Sequence, residues 1–335
     1  MRGIDVVCFF PIESMKKIRY WLEWFFVSIF ARLIPMLPLS LVRYLADLAG
    51  WVVYVFDRHS RAVALANLEA AFGPETSVQW RRQVTKKSLQ VFARSFLELF
   101  WTPCLNRANL QKFISFENPE GLPALIVDKK PIIAITPHFA NFEWGSAFFA
   151  FCGHGGYILT QRFKNDLLTP IFQRLRETSG QHVVTQEASV IGFLKVLRKG
   201  SSVGILIDLT LKMNDPAVII QAFGLQMRTT MIHAFLHERT GIPIVPTITL
   251  PRTDGGYFVR VLDPLHFPAG TPYQAVAQAC WDRFEPIIRE HPEQWLWVYK
   301  HWRYLPSVTD RRYPFYANRS VKFDRELETQ QRQGA

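Results

Sequence analysis

Little in this chain of 335 residues supports a disulfide framework or a metal site. Its only cysteines, Cys8, Cys104, Cys152 and Cys280, are far apart, and no two of them form a C-x-x-C pair. This spacing fits free thiols in a reducing compartment better than a zinc site or a disulfide scaffold. We therefore expect no bound metal.

Long uninterrupted hydrophobic runs are also scarce. A transmembrane helix needs about 20 apolar residues, whereas the uncharged stretch between Glu23 and Arg32 covers eight. Basic residues precede this segment and prolines follow it, which predicts a membrane-seated anchor over residues 16–34 with its basic flank on the cytoplasmic headgroups. A buried core helix is the alternative. We expect residues 1–15 to be a dispensable start.

Acidic residues are few for the number of basic ones. The chain has 28 Asp and Glu against 39 Lys and Arg, a formal net charge of +11. Such an excess favours a polyanionic partner, which could be nucleic acid, anionic lipid or an acidic carrier protein. The basic residues are dispersed and no nucleic-acid motif is present, so we expect no nucleic-acid partner.

The pattern of apolar residues changes near Pro103. The part before it reads as helical, with helices predicted over residues 41–56, 61–72 and 77–101. After it, short β-rich runs alternate with helical ones. Strands are predicted at 132–136, 157–160, 182–185, 203–207, 244–250 and 257–262. Helices are predicted at 141–151, 166–178, 187–199, 229–240 and 273–290.

This alternation predicts an α/β fold, a central mixed sheet with helices on both faces, preceded by a helical, membrane-seated N-terminal region. We divide the chain into anchor and apolar helices, a helical region packing on the core, a catalytic α/β domain and a polar tail. These segments are residues 16–56, 57–103, 104–306 and 307–335. The tail is expected to fray from about Arg319 onward.

His138 stands where an α/β fold places its ligands. The apolar run 131–136 ends at Pro137, and His138 follows at the carboxyl end of the predicted strand. If His138 lies on the turn and Glu143 in the first turn of the next helix, the Glu143 carboxylate can reach the imidazole. Such a pair allows the histidine to take a proton from an attacking hydroxyl. The spacing alone does not separate this hypothesis from a structural histidine.

Several ordered landmarks accompany this pair, among them Leu37-Pro-Leu-Ser40, Asn67-Leu68, Gly204-Ile-Leu-Ile-Asp208 and His291-Pro-Glu-Gln-Trp-Leu-Trp297. With His138-x4-Glu143 they resemble the lauroyl/myristoyl (late) acyltransferases of bacterial lipid A biosynthesis. That family lies within the HX4(D/E) glycerolipid acyltransferase superfamily. The resemblance runs from about residue 17 to 306 and implies a glycerol-phosphate acyltransferase-like fold.

The reaction that the resemblance implies is O-acyl transfer from an acyl-carrier-protein thioester to a hydroxyl of a glycolipid, most simply a lipid A precursor. His138 would be the general base and Glu143 would orient and polarise it, with no covalent enzyme intermediate. No cofactor is implied, because acyl carrier protein delivers the acyl chain as a co-substrate. The implied location is the inner membrane, with the catalytic domain facing the cytoplasm.

Four further residues are implied in substrate binding. Arg176 would pair with a phosphate through its bidentate fork, and Asp208 would orient Arg176 or a substrate hydroxyl. Arg162 and Asn165 form another matching motif on the substrate side. For Arg176, Asp208 and Arg162, a surface or inter-helix salt bridge is the alternative interpretation.

Two departures from the family pattern leave the acceptor open. The family has a Gln-Asp-Tyr-Gly-like turn after the aspartate, whereas Leu-Thr-Leu-Lys follows Asp208, and Tyr299-Lys-His-Trp-Arg303 replaces a His-Arg-Arg run. Another glycolipid or an amino-acid lipid is therefore an alternative acceptor, and coenzyme A an alternative carrier of the donor. A catalytically silent membrane scaffold is the alternative from a different class.

Overall fold

A computed structural model describes residues 12–160, 162–185 and 189–333 of the chain. The helices in this part are α1 Ile12–Leu33, α2 Leu39–Phe56, α3 Arg58–Phe72, α4 Val78–Trp101, α5 Leu110–Phe113, α6 Ala124–Val127, α7 Phe142–Phe151, α8 Thr169–Glu177, α9 Ser189–Arg198, α10 Ile232–Thr240, α11 Tyr273–Asp282, α12 Glu285–Glu290 and α13 Val321–Gln333. The strands are β1 Ile114–Phe116, β2 Ile133–Thr136, β3 Gly156–Thr160, β4 His182–Thr185, β5 Ser202–Leu206, β6 Ala217–Ala222, β7 Leu225–Thr230, β8 Ile244–Pro251, β9 Tyr257–Val261, β10 Tyr304–Leu305 and β11 Asn318–Arg319.

Seven strands form the central sheet, in the order β1-β9-β8-β2-β5-β3-β4. The pairs among β8, β2, β5, β3 and β4 are parallel, whereas β9 runs antiparallel to β8 and parallel to β1. The sheet is therefore mixed, as predicted. Because the parallel strands point the same way, β2 and β5 bring their carboxyl ends to the same edge of the sheet.

Helices cover both faces of the sheet, which confirms the predicted fold class. Alternate residues of a strand point to opposite faces. Ile133 and Ile135 of β2 belong to one buried cluster, together with residues of α3 and of α9 to α12. Ile132 and Val245 belong to a second cluster with residues of α2, α4, α7 and α8.

The two N-terminal segments that were predicted to be helical form α1 and α2. α2 begins after Pro38 and lies antiparallel along α4, with Gly50 at a close crossing where a Cβ would stand 2.5 Å from the Gln90 Cα. Among the described helices, α2 is the one long and apolar enough to cross a membrane. It nevertheless has a packed side, since 22% of it is buried within the molecule.

Several elements differ from the predictions. The strand β1 and the β6–β7 hairpin were not predicted, and α10 begins at Ile232 rather than at residue 229. The helix predicted over 273–290 is two helices, because Pro286 has no N–H to continue the first and instead occupies the first turn of α12. Residues 1–11 of the expected start, and 187–188 of one predicted helix, lie outside the described residues.

The tail is also more ordered than expected. It carries α13, whose Phe323 is fully buried. Glu326 on the same helix pairs with the buried Arg228 of β7. The expectation of a frayed segment from about Arg319 was therefore wrong, because a helix that is polar on average still has one apolar face to bury.

Candidate active site

His138 occupies a turn between β2 and α7. The chain leaves β2 at Thr136. Within the turn, the N–H of Ala140 donates to the Gln294 carbonyl over 2.8 Å and so anchors the turn to the segment that contains Gln294. Ala140 has a φ of 46°, a left-handed conformation that is unfavourable for a residue with a Cβ. The side chain of Asn141 then caps α7 by accepting from the Trp144 N–H over 2.9 Å.

The carboxylate that contacts His138 is Asp208. Its Oδ1 accepts from the imidazole Nδ1 over 2.7 Å, and its Oδ2 accepts from the His138 backbone N–H over 2.9 Å. Asp208 follows β5 and is fully buried. Because an ionised carboxylate only accepts, the Nδ1 of His138 carries the proton and Nε2 is left as the basic nitrogen.

The surroundings of Asp208 favour its charged form. Burial alone would raise its pKa, but the nearby His138 and its hydrogen bonds outweigh burial and the pKa lies below the usual value. Trp295 also hydrogen-bonds to Asp208, because its indole N–H donates over 2.8 Å to Oδ2, the oxygen that accepts from the His138 backbone N–H. His301 lies against this arrangement, its ring stacked on that of Trp295 with centroids 4.0 Å apart.

Glu143 does not make the hydrogen bond to His138 that the spacing suggested. Its carboxylate instead forms a bidentate ion pair with Arg176 of α8, at 2.6 Å to Nη2 and 3.0 Å to Nε. The expected pairing of Asp208 with Arg176 is likewise absent from the described residues, since Asp208 faces His138. Sequence spacing missed this exchange of partners because His138 and Asp208 are 70 residues apart and meet only when β2 and β5 pair.

The other two proposed substrate residues lie away from this pair. The Asn165 amide donates to the Tyr20 carbonyl over 2.8 Å and to the Glu23 carboxylate over 3.0 Å, which ties the loop before α8 to α1. Arg162 is exposed, beside Phe163, which lines the cavity described below. Asn165 thus contacts the N-terminal helix rather than the His138 turn.

A cavity of about 510 Å³ opens beside His138, Glu143 and Arg176. It follows one face of the sheet from the carboxyl ends of the strands toward their amino ends. The length of the cavity along the sheet is roughly 13 Å, since it follows about four strand residues at about 3.3 Å each. Small residues form its floor and aromatic ones its wall; those on the floor are Ala134, Gly156 and Gly204, and those on the wall are Phe92, Phe96, Phe149, Phe163 and Phe172.

The lining of this cavity suits an apolar chain better than a metal. Among the described residues, no group of three or more His, Cys, Asp or Glu side chains could hold a metal ion. Elongated apolar pockets with a few convergent polar groups at one end are typical sites for amphipathic ligands.

Residues 200–204 spell Gly-x-Ser-x-Gly, the pattern of a hydrolase nucleophile elbow. The structural context is the reverse of an elbow, because Ser202 begins β5 after α9 instead of ending a strand before a helix. Its Oγ accepts a hydrogen bond from the Ile132 N–H over 3.2 Å. Ser202 is therefore not arranged as a nucleophile and is not a partner of His138.

Known proteins match this chain over most of its length. A family model described as bacterial lipid A biosynthesis acyltransferase matches residues 12–304. The chain is also 24% identical, over 301 residues, to the lipid A biosynthesis lauroyltransferase of Escherichia coli (strain K12). That alignment covers 88% of this chain and 95% of the relative.

Proposed function

This chain belongs to the bacterial lipid A biosynthesis acyltransferase family and is an acyltransferase, and we propose that it moves a fatty acyl chain from acyl carrier protein to a lipid A precursor. The donor is an acyl thioester and the acceptor is a hydroxyl of the glycolipid. The observation that carries this proposal is the His138–Asp208 pair at one end of an apolar cavity.

The arrangement supports direct transfer. Nε2 of His138 takes the proton of the acceptor hydroxyl while the hydroxyl oxygen attacks the thioester carbonyl carbon. Asp208 holds the ring and stabilises the imidazolium that forms. The tetrahedral intermediate then expels the thiolate, and His138 passes to it the proton that came from the hydroxyl. The products are an ester and a free thiol.

Arg176 and Glu143 act as a second unit in this proposal. Glu143 outweighs burial and raises the pKa of Arg176, so the guanidinium stays charged. The ion pair engages its Nε and Nη2 atoms, and an arginine has five N–H donors in all. We assign the remaining donors to a phosphate of the acceptor or of the carrier's phosphopantetheine, while Glu143 fixes the plane of the fork.

Membrane seating is part of the same proposal. α1 and α2 expose large apolar side chains, including Phe26, Phe30 and Tyr44, which are each more than half exposed. The other side of α2 is packed on α4, where Asp47 pairs with Arg94. We therefore place both helices in the lipid interface of the inner membrane rather than across it, with the catalytic part on the cytoplasmic side.

The test is a transfer assay with the purified full chain in mixed micelles, read by mass spectrometry of the lipid. We expect a lipid A precursor to gain one acyl chain from acyl carrier protein. His138→Ala should lower kcat by about 10²–10⁴-fold. Asp208→Asn should lower it by at least about 100-fold, because the amide stabilises the imidazolium of His138 less well than the carboxylate does. His59→Ala, at an exposed histidine, is the matched control.

Three outcomes would contradict parts of the proposal. Unchanged transfer by His138→Ala would remove the general base from the mechanism. Equal or faster transfer from acyl coenzyme A would change the donor. An unmodified lipid A precursor, with a mass shift in another glycolipid or an amino-acid lipid, would change the acceptor.

A further inference from the structure

Glu98 is a buried carboxylate that the proposed mechanism does not use. It lies near the carboxyl end of α4 and is fully buried. Its Oε1 accepts from Arg43 Nε over 2.5 Å, and its Oε2 accepts from Asn141 Nδ2 over 2.5 Å and from the Tyr257 hydroxyl over 2.7 Å. A buried carboxylate is costly unless its oxygens are paired, and these three donors come from α2, the His138 turn and β9.

Asn141 connects this carboxylate to the catalytic turn. It lies three residues after His138 and two before Glu143. Its Oδ1 caps α7 and also accepts from the Ser95 hydroxyl over 3.5 Å, while its Nδ2 donates to Glu98, so the two ends of the amide have different partners. Reversal of the amide would place two oxygens against each other at Glu98, and the carboxylate therefore fixes which end of Asn141 caps α7.

The turn needs support from outside itself. Ala140 has a left-handed backbone, a conformation that persists only when the surroundings stabilise it. Two contacts provide this support, the Ala140 N–H to the Gln294 carbonyl and the Asn141 amide to Glu98. The backbone carbonyl of Glu98 also accepts from the Trp144 indole over 3.0 Å, so α4 holds the first turn of α7 as well.

The Tyr257 hydroxyl remains a donor to Glu98. Burial, and then the negative charge of Glu98, hold the pKa of Tyr257 well above its usual value. Arg43 supplies the positive charge, with an exposed side-chain fraction of only 18%. The carboxylate is thus held by Arg43 and Tyr257 as well as by Asn141.

We propose that Glu98 is a positioning residue, which acts through Asn141 to hold the turn that carries His138 and the start of α7 that carries Glu143. It also ties this region to α2 through Arg43. This inference rests on the acyl transfer proposed above. The effect is one of geometry, because Glu98 touches neither His138 nor Asp208. Loss of the link should therefore lower kcat and leave the KM for the acyl donor and the shape of the pH–rate profile unchanged.

Asn141→Ser is the sharpest variant, because serine still caps a helix but has no amide donor for Glu98. We expect kcat to fall by about 10- to 100-fold, the range for a small misplacement of catalytic groups. Glu98→Gln should give a similar fall. The double variant should lose little more than the worse single one, because both changes act on the same contact between Asn141 and Glu98.

Asp47→Asn is the matched control. It breaks the Arg94–Asp47 ion pair, which joins α2 and α4 about one helical turn away from the Arg43–Glu98 pair. This ion pair does not contact the loop that carries His138. We expect a lower melting temperature with kcat within about twofold of wild type. A purely structural role for Glu98 predicts instead that the three single variants change kcat only in proportion to the folded fraction.

His138→Ala, assayed beside them, separates the two proposals. If His138→Ala retains full activity, the proposed chemistry fails. If His138→Ala is inactive while Asn141→Ser and folded Glu98→Gln keep wild-type kcat, the positioning role of Glu98 alone is overturned. The same conclusion follows if Asp47→Asn lowers kcat as much as Asn141→Ser does.

Discussion

His233 of α10 is a buried histidine whose environment disfavours its charged form. The residue is fully buried, and within the described part of the chain neither ring nitrogen has a hydrogen-bond partner. Burial lowers its pKa from 6.5 to about 4. The folded state therefore keeps the ring neutral at pH values where the unfolded chain binds a proton.

This difference predicts a loss of stability in mild acid. Above pH 6.5 His233 contributes no pH dependence, because the ring is neutral in both states. As the pH falls from about 6.5 to 4, the unfolded state takes up the proton first, and the free energy of unfolding should drop by about 3 kcal/mol from this residue. Urea unfolding of the full chain in detergent between pH 4 and 8 measures it.

His233→Leu provides the comparison, since leucine is apolar and does not titrate. Its free energy of unfolding should fall less steeply than that of wild type between pH 6.5 and 4, and the two slopes should agree above pH 6.5. Parallel curves for the two proteins over the acid range would contradict the assignment to His233.

At the scale of elements, the middle of β5 forms part of the cavity floor. Gly204 lies there, where a Cβ would stand 3.2 Å from Ile158 Cγ2. Its neighbour on β2 is Ala134, also a small residue. The cavity exists because small residues stand on the face of the sheet that α4, α7 and α8 cover, whereas the opposite face of the same strands carries larger residues such as Val203 and Ile205.

Gly204→Val should shorten the acyl chain that the enzyme prefers. The added isopropyl group would occupy floor space that the chain otherwise fills, and each methylene excluded from the site costs about 0.8 kcal/mol. That is about a fourfold change in relative kcat/KM per methylene. Competition between acyl-carrier-protein donors of different length, read by mass spectrometry, measures the shift.

Gly192→Ala is the control for this substitution, because Gly192 lies on α9, where the nearest side-chain atom would be 4.0 Å from the new Cβ. It should leave the chain-length profile as in wild type. If Gly204→Val slows every donor by the same factor, the cavity floor does not measure the chain.

Elements with a strong local pattern were predictable. The strand before His138 and the helices α2 to α4 follow apolar periodicity closed by prolines, glycines and caps. The β6–β7 hairpin was missed although its signal was present, since Phe223-Gly224 forms a two-residue turn with φ of 54° and 74°. Its two strands lie outside the main sheet and follow each other with no helix between them, so they do not take part in the strand–helix alternation that marked the others.

At the scale of the whole molecule, exposed apolar residues concentrate in α1 and α2. In α2 they include Leu48 and Trp51, with exposed fractions of 45% and 42%. Basic residues, Lys16, Lys17 and Arg19, lie in the first half of α1, where they would contact anionic headgroups. Apolar burial together with charge attraction predicts an association with membranes that salt alone does not reverse.

Replacement of Leu48 and Trp51 together by Asn should lower partition into vesicles of anionic and zwitterionic phospholipid. Each half-exposed side chain gives up about 1 kcal/mol of burial, so the pair should reduce partition by more than about tenfold. Flotation of the full chain measures the bound fraction at low salt and in 1 M salt, the latter screening charges beyond about 3 Å.

Val308→Asn with Phe315→Asn is the control pair, at exposed apolar residues far along the chain from α1 and α2. It should float like wild type. Full release of wild type by salt, with no effect of the α2 variant, would show a purely electrostatic association and contradict the interfacial placement of α2.

The sequence by itself determined the class of fold, the strand-end position of His138 and the family, because these depend on local periodicity and on motifs read along the chain. It did not determine that Asp208, rather than Glu143, holds the histidine. That contact forms only because β2 and β5 are neighbours in the sheet and end at the same edge. Likewise, only the packing of α2, α4 and β9 brings Arg43 and Tyr257 to Glu98, since a buried carboxylate draws its partners from wherever the fold places donors.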